Sequence, residues 1–192
     1  GRRKKEEDVA AGILLEDEGL SRQNNKKLSR RNHIILLAQN QVGLSNLFQL
    51  ISKSFDKPSQ TFYKYPRMDF DMFKQHNEGI IASSACLGGI YAKDYWSNKE
   101  EGRDAILKAM RETTVGMQEI FGDRWYAELQ WNRIPEQHEL NQYIIQTAKE
   151  MEVELISTAD SHYPSPDAWK DRELYKRLGW VGKNRPDWLS DE

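Results

Sequence analysis

Short apolar runs of strand length, each followed by residues at helical spacing, constrain the fold of this chain more than any other feature. The first run is Ile34-Ile35-Leu36-Leu37-Ala38, opened by His33 and unbroken by charge, as expected of a strand buried on both faces. Gln39 to Gly43 make a turn, and Leu44, Leu47, Phe48 and Ile51 then recur at i, i+3, i+4 and i+7, which predicts a helix over 44–55 with that face buried. A second run, Ile80-Ile81-Ala82-Ser83, enters Ser84-Ala85-Cys86-Leu87-Gly88-Gly89, where small residues let the backbone turn tightly and approach whatever lies there. Helices are predicted at 90–96 and at 100–121, the latter from Ile106, Leu107, Met110, Met117, Ile120 and Phe121, with Gly122-Asp123 closing it.

The third run, Trp125-Tyr126-Ala127-Glu128-Leu129-Gln130, holds one carboxylate. Pro135 opens a helix whose Leu140, Ile144, Thr147, Ala148 and Met151 share a face. Glu154-Leu155-Ile156-Ser157-Thr158 is the fourth run, after which Ser165 can cap a last helix through Trp169, Leu174 and Leu178, with Pro166 in its first turn. Between the first two runs, Pro58 and Pro66 mark a loop, and 67–76 reads as a short helix. Before the first run, 9–15 is a short apolar stripe of helical character, and Arg22, Lys26, Lys27, Arg30 and Arg31 form a basic cluster without aromatic residues. It reads either as a solvated loop or as a phosphate contact. Strand then helix, four times over, calls for parallel strands with crossover helices, in a barrel or an open doubly wound sheet.

Composition limits what such a sheet can serve. With 192 residues, 38% hydrophobic and 30% charged, the chain can bury a sizeable core. No apolar run approaches the roughly 20 residues that span a bilayer, and the basic N-terminus has no apolar stretch behind it, so neither a membrane nor a secretion signal is expected. A single cysteine, Cys86, cannot form an internal disulfide, which fits a reducing, cytoplasmic setting. The net charge of -2 argues against a wholly basic nucleic-acid coat.

In parallel sheets ligands gather at the carboxyl ends of the strands. By that rule Cys86, Asp160 and His162 fall at a rim, each just past a strand, with Glu128 inside one. His33, at the head of a strand, is left unplaced. Asp160 and His162, two residues apart, can grip one cation, although the same hexapeptide, Thr158 to Tyr163, is also an ordinary polar turn. Cys86 alone reads equally as a small buried hydrophobe, His33 as a strand-end histidine, His76 and His138 as solvent-facing helix residues, and Glu128 as the partner of a lysine.

Four blocks in fixed order carry a more specific likeness. They are His33 to Asn40 with Gly43, Asn46-Leu47 and Leu50 to Ser54; Gly79 to Gly89; Tyr126 to Gln130; and Ser157 to Tyr163. Together they resemble the PHP (polymerase and histidinol phosphatase) domain at the N-terminus of bacterial-type, C-family, DNA polymerase III alpha subunits. The resemblance implies a distorted (β/α) barrel whose rim binds a cluster of zinc, manganese or iron and can hydrolyse phosphoesters, including a 3′ terminal nucleotide. His33, Cys86, Asp160 and His162 match the metal-ligand positions, and Glu128 the acidic residue of the family's Glu-Leu-Gln strand, a neighbour of the site. DNA, nucleotides and other replisome subunits are the implied partners.

The chain also departs from that pattern. The family's opening His-x-His and its next His and Glu ligands belong upstream of His33, where this chain has no histidine. The polymerase palm, with its magnesium, would lie beyond Glu192. The expectation is therefore a fragment: 1–32 a basic variable insertion or loop, 33–180 the C-terminal half of a PHP domain, and 181–192 a loosely ordered tail. Two other readings are a truncated free-standing PHP phosphoesterase for a small phosphate monoester and a barrel without metals that serves as a structural platform.

Overall fold

The computed structural model describes residues 31–56 and 66–182. The expected helix at 9–15, the basic cluster before Arg31, Pro58 and the stretch beyond 182 lie outside them. Within them the elements run β1 (Ile35–Ala38), α1 (Gln41–Ser54), α2 (Phe70–Gln75), β2 (Ile80–Ser83), α3 (Ile90–Asn98), α4 (Arg103–Phe121), β3 (Trp125–Gln130), α5 (Pro135–Met151), β4 (Glu154–Thr158) and α6 (Trp169–Gly179). The strands form one open sheet in the order β1-β2-β3-β4. Among the described residues a mixed α/β fold is thus present, with an open four-stranded sheet.

One expectation about the strands is corrected. β2, β3 and β4 are parallel, but β1 is antiparallel to β2, with Ile35 opposite Ser83 and Ala38 opposite Ile80. The reason lies in the connection. Asn40 turns the chain straight out of β1, its side chain capping α1 through the Gly43 N–H at 2.9 Å. The chain then returns to the same end of the sheet, where the Gln39 N–H donates to the Gly79 carbonyl at 2.8 Å. A crossover would have had to deliver it to the opposite end.

The same junction explains why the predicted face of α1 is not the buried one. A Cβ on Gly43 would sit 1.8 Å from the Gly79 carbonyl oxygen, so helix and turn meet backbone to backbone. With Gly43 against the sheet, Leu47, Leu50 and Ser54 follow it inward at i+4, i+7 and i+11. The rival stripe faces out: Leu44, Phe48 and Ile51 are 37%, 61% and 50% exposed. β1 is not buried on both faces either, for it is an edge strand with Ile35 and Leu37 exposed.

Elsewhere the periodicity translates directly into packing. Ile106, Leu107, Met110, Met117, Ile120 and Phe121 of α4 are all buried, as are Leu140, Ile144, Thr147 and Ala148 of α5. They cover the sheet face that carries Ala82, Trp125 and Ala127, and each fully buried aliphatic side chain contributes about 1.5–3 kcal/mol. Gly122, at φ +59°, ends α4 as expected, its N–H donating to the Gln118 carbonyl. On the opposite sheet face the register places Ile35, Leu37, Ile81, Tyr126, Glu128 and Ile156 together.

The chain divides into two compact units, Gly1–Thr158 and Ala159–Glu192. In the second, a 3-10 turn, Pro166–Ala168, leads into α6, none of whose residues is buried. Ser165 does not cap with its side chain. Its carbonyl instead accepts the Ala168 N–H at 3.1 Å, closing the 3-10 turn before the helix proper begins.

Candidate metal centre

The antiparallel direction of β1 supplies the account of His33 that the rim rule could not. Because β1 runs backwards, its head lies at the carboxyl end of β2, beside the turn that follows that strand. His33 bridges Gly89, its N–H donating to the Gly88 carbonyl at 2.8 Å. Its ring Nδ1 stands 3.4 Å from the Cys86 Sγ. An imidazole and a thiol separated by 53 residues thus meet at one edge of the rim.

The turn that presents Cys86 needs its small residues. A Cβ on Gly88 would lie 3.1 Å from His33 Nδ1, and one on Gly89 would lie 2.1 Å from the Ser84 carbonyl oxygen. Ala85 takes the left-handed conformation at φ +59°, which costs an L-residue roughly 1–2 kcal/mol and is offset by the turn's own hydrogen bonds. The Gly89 N–H donates to the Cys86 carbonyl at 2.7 Å and the Gly88 N–H to its Sγ at 3.4 Å. Cys86 is half-buried and His33 exposed, so the thiol is not a core hydrophobe.

Glu128 lies in the middle of the sheet, 1% exposed, and pairs with no lysine among the described residues. Its carboxylate accepts from Ser83 Oγ at 2.5 Å, Thr158 Oγ1 at 2.6 Å, Gln130 Nε2 at 3.0 Å and the Ala85 N–H. Burial pushes its pKa up, but those four donors outweigh burial and hold it below the ordinary carboxylate value. Nothing in the sequence pointed to Ser83 and Thr158 as its partners, although hydroxyls at strand ends flanking a buried acid are the natural donors.

Asp160 and His162 belong to the second unit. Asp160 is left-handed at φ +47°, and its carbonyl lies 2.6 Å from His162 Nδ1. If Nδ1 carries the proton in that bond, Nε2 keeps a lone pair, the tautomer that binds metals. Both side chains are exposed. Within each unit, among the described residues, no three His, Cys, Asp or Glu side chains gather to hold an ion. The imidazole of His33 and the thiol of Cys86 are donor types that zinc or a similar transition metal takes.

Two further expectations concern the remaining histidines. His138 is exposed on α5, as expected. His76, by contrast, caps the C-terminus of α2 half-buried, and burial together with the Lys53 charge holds its pKa below the usual imidazole value. Beside His33 opens a cleft of about 760 Å³, walled by Ile34, Phe55, Phe73 and Met117 with Arg31 and Arg67.

The family model described as the PHP domain matches residues 5–132 of this sequence. This chain belongs to the PHP domain family. The match begins well before His33 and takes in Cys86 and Glu128. DNA polymerase III subunit alpha of Aquifex aeolicus is 38% identical over 136 residues, covering 71% of this chain and 11% of that protein. The subunits of the same name from Borreliella burgdorferi and Helicobacter pylori are 35% and 34% identical over 152 and 161 residues. They cover 79% and 82% of this PHP chain, and 12% and 13% of their own lengths. The chain therefore spans about an eighth of the length of these relatives.

Proposed function

We propose that this chain is part of the metal-binding PHP domain of a replicative DNA polymerase III alpha subunit, acting on the phosphodiester at a DNA 3′ end. The observation that carries the reading is the meeting of His33 and Cys86 at the carboxyl rim, two unlike metal donors brought together from distant parts of the sequence. Asp160 and His162, in the second unit, are the other two residues of this chain proposed as metal ligands. A metal held by such donors would lower the pKa of its water to near neutrality and polarise a phosphoryl oxygen.

The protein's own residues supply position and access. With the proton on Nδ1, in its bond to the Asp160 carbonyl, His162 would keep Nε2 for an ion, and the half-buried Cys86 presents its sulfur beside His33. The cleft next to His33 has the size of a small-molecule site, with apolar walls for a base and the Arg31 and Arg67 guanidinium groups for phosphate. A closed (β/α) barrel is the fold that this reading implies. The sheet face bearing Ile35, Leu37, Ile81, Tyr126 and Ile156 would be its inner wall. Cytoplasmic location, DNA and other replisome subunits as partners, and polymerisation by the longer relatives' remaining domains belong to the same proposal. Among the described residues no helix is long and apolar enough to cross a membrane.

Incubating the manganese- or zinc-supplemented chain with 3′-labelled single-stranded DNA, and separately with p-nitrophenyl phosphate, tests the reading. Release of the terminal nucleotide, lost in Asp160→Ala and Cys86→Ser, is expected. Hydrolysis of the monoester alone would favour a small-molecule phosphoesterase, and metal-free, inert protein would favour a structural platform.

A further inference from the structure

Glu128 is a buried carboxylate whose hydrogen bonds run to strand ends and to the turn before Cys86. Ser83 closes β2, Thr158 closes β4, Gln130 closes β3, and the Ala85 N–H lies one residue before the thiol. The connection is made twice over, because the Glu128 N–H donates to Ser84 Oγ at 2.9 Å. Three parallel strands ordinarily leave their carboxyl ends to diverge into separate loops, and here a single side chain joins all three across the rim.

We propose that Glu128 is a positioning residue, a central clamp that fixes the Cys86 turn against β2 and fixes the end of β4, from which the chain runs two residues on to Asp160. The inference rests on the metal-centre reading for what the clamp is for, and on hydrogen-bond geometry alone for what it does. A carboxylate suits this position because its two oxygens can accept from all four partners at once. An amide offers one acceptor and would turn its NH₂ toward another donor. Ala85, left-handed at φ +59°, sits between Ser84, whose hydroxyl accepts the Glu128 N–H, and Cys86, so the clamp holds the turn on its strand side. Glu128 touches neither the Cys86 sulfur nor the His33 ring in any hydrogen bond, so its influence on them passes through the turn.

Native-state amide hydrogen exchange on the full chain decides the matter. In Glu128→Ala the amides of Ala85, Gly89 and His33, which close the turn, are expected to exchange about tenfold faster beyond any change at the α4 amides. Leu140→Ala, a core truncation remote from the rim, should instead loosen amides throughout the first unit without selecting the turn. Glu128→Gln should restore part of the lost protection, its oxygen serving Thr158 and Gln130 while the Ser83 hydroxyl turns to accept from its NH₂. If Glu128→Ala does not fold, Thr158→Val and Ser83→Ala each remove one donor and should give the same pattern at smaller amplitude. Turn amides that move no more than α4 amides in all these variants would overturn the proposal. A parallel titration with cobalt(II) chloride separates the two readings. A thiolate-to-cobalt absorption band weakened in Glu128→Ala joins clamp to metal site. Absence of the band in the wild type sinks the metal reading while the exchange data still judge the clamp.

Discussion

At the scale of single residues, the acid response of the fold should trace to Glu128. Its pKa in the folded chain is held below the ordinary value, so its stabilisation is complete above the unfolded pKa of about 4.3 and is lost as pH falls through the lower, folded one. Asp94 acts in the opposite sense. Burial first, against hydrogen bonds from Thr113 and Lys93, raises its pKa, so its protonation favours the fold as pH falls. Comparing urea unfolding of the wild type and Glu128→Gln cancels the Asp94 contribution. We expect a gap of about 1–3 kcal/mol above pH 5, from donors left without an acceptor, that narrows as the pH drops below about 4. A gap that holds constant down to pH 3 would show that the charge of Glu128 is immaterial. The sequence made this acid visible as a polar residue in an apolar strand. Its partners were not legible, because they depend on the register of β2 and β4 beside β3, which no local pattern records.

At the scale of elements, α1 shows how a helix can be read correctly and oriented wrongly. The predicted stripe is Leu44, Leu47, Phe48 and Ile51, of which Leu47 alone packs on the core, with Leu50 and behind Gly43. The more apolar stripe was the natural choice, yet the close approach of Gly43 to Gly79 decides the rotation, and a glycine contributes nothing to a hydrophobic pattern. β1 repeats the lesson. Its run of aliphatic residues reads as a doubly buried strand, while an excursion that returns to the same sheet end makes it an antiparallel edge. That reversal is also what brings His33 to the rim, so one unforeseen direction accounts for both the misjudged strand and the unplaced histidine. Glutamate at Phe48 and Ile51 should change unfolding free energy by no more than about 0.5 kcal/mol, whereas Leu50→Ala should cost about 2–5 kcal/mol. Thermal or urea denaturation of the three variants checks this. Strong destabilisation by Phe48→Glu would mean that the exposed stripe is covered. Where turn chemistry and helix period agree, as in β2, β3, β4 and α4, the expected boundaries and the observed ones nearly coincide.

For the molecule as a whole, the candidate ligands fall in two compact units, His33 and Cys86 in one, Asp160 and His162 in the other. The pairing of His33 with Cys86 stands on geometry, and the family match takes in both residues. Metal binding by these residues is the claim on which the phosphoesterase reading turns. Its most direct measurement is a cobalt(II) titration of the full chain, followed by the thiolate-to-cobalt band, for the wild type and for His33→Ala, Cys86→Ser, Asp160→Ala and His162→Ala. The account predicts a band in the wild type, its loss in Cys86→Ser, and cobalt affinity weakened on the order of tenfold or more in each of the other three. Wild-type affinity retained in both Asp160→Ala and His162→Ala would contradict it.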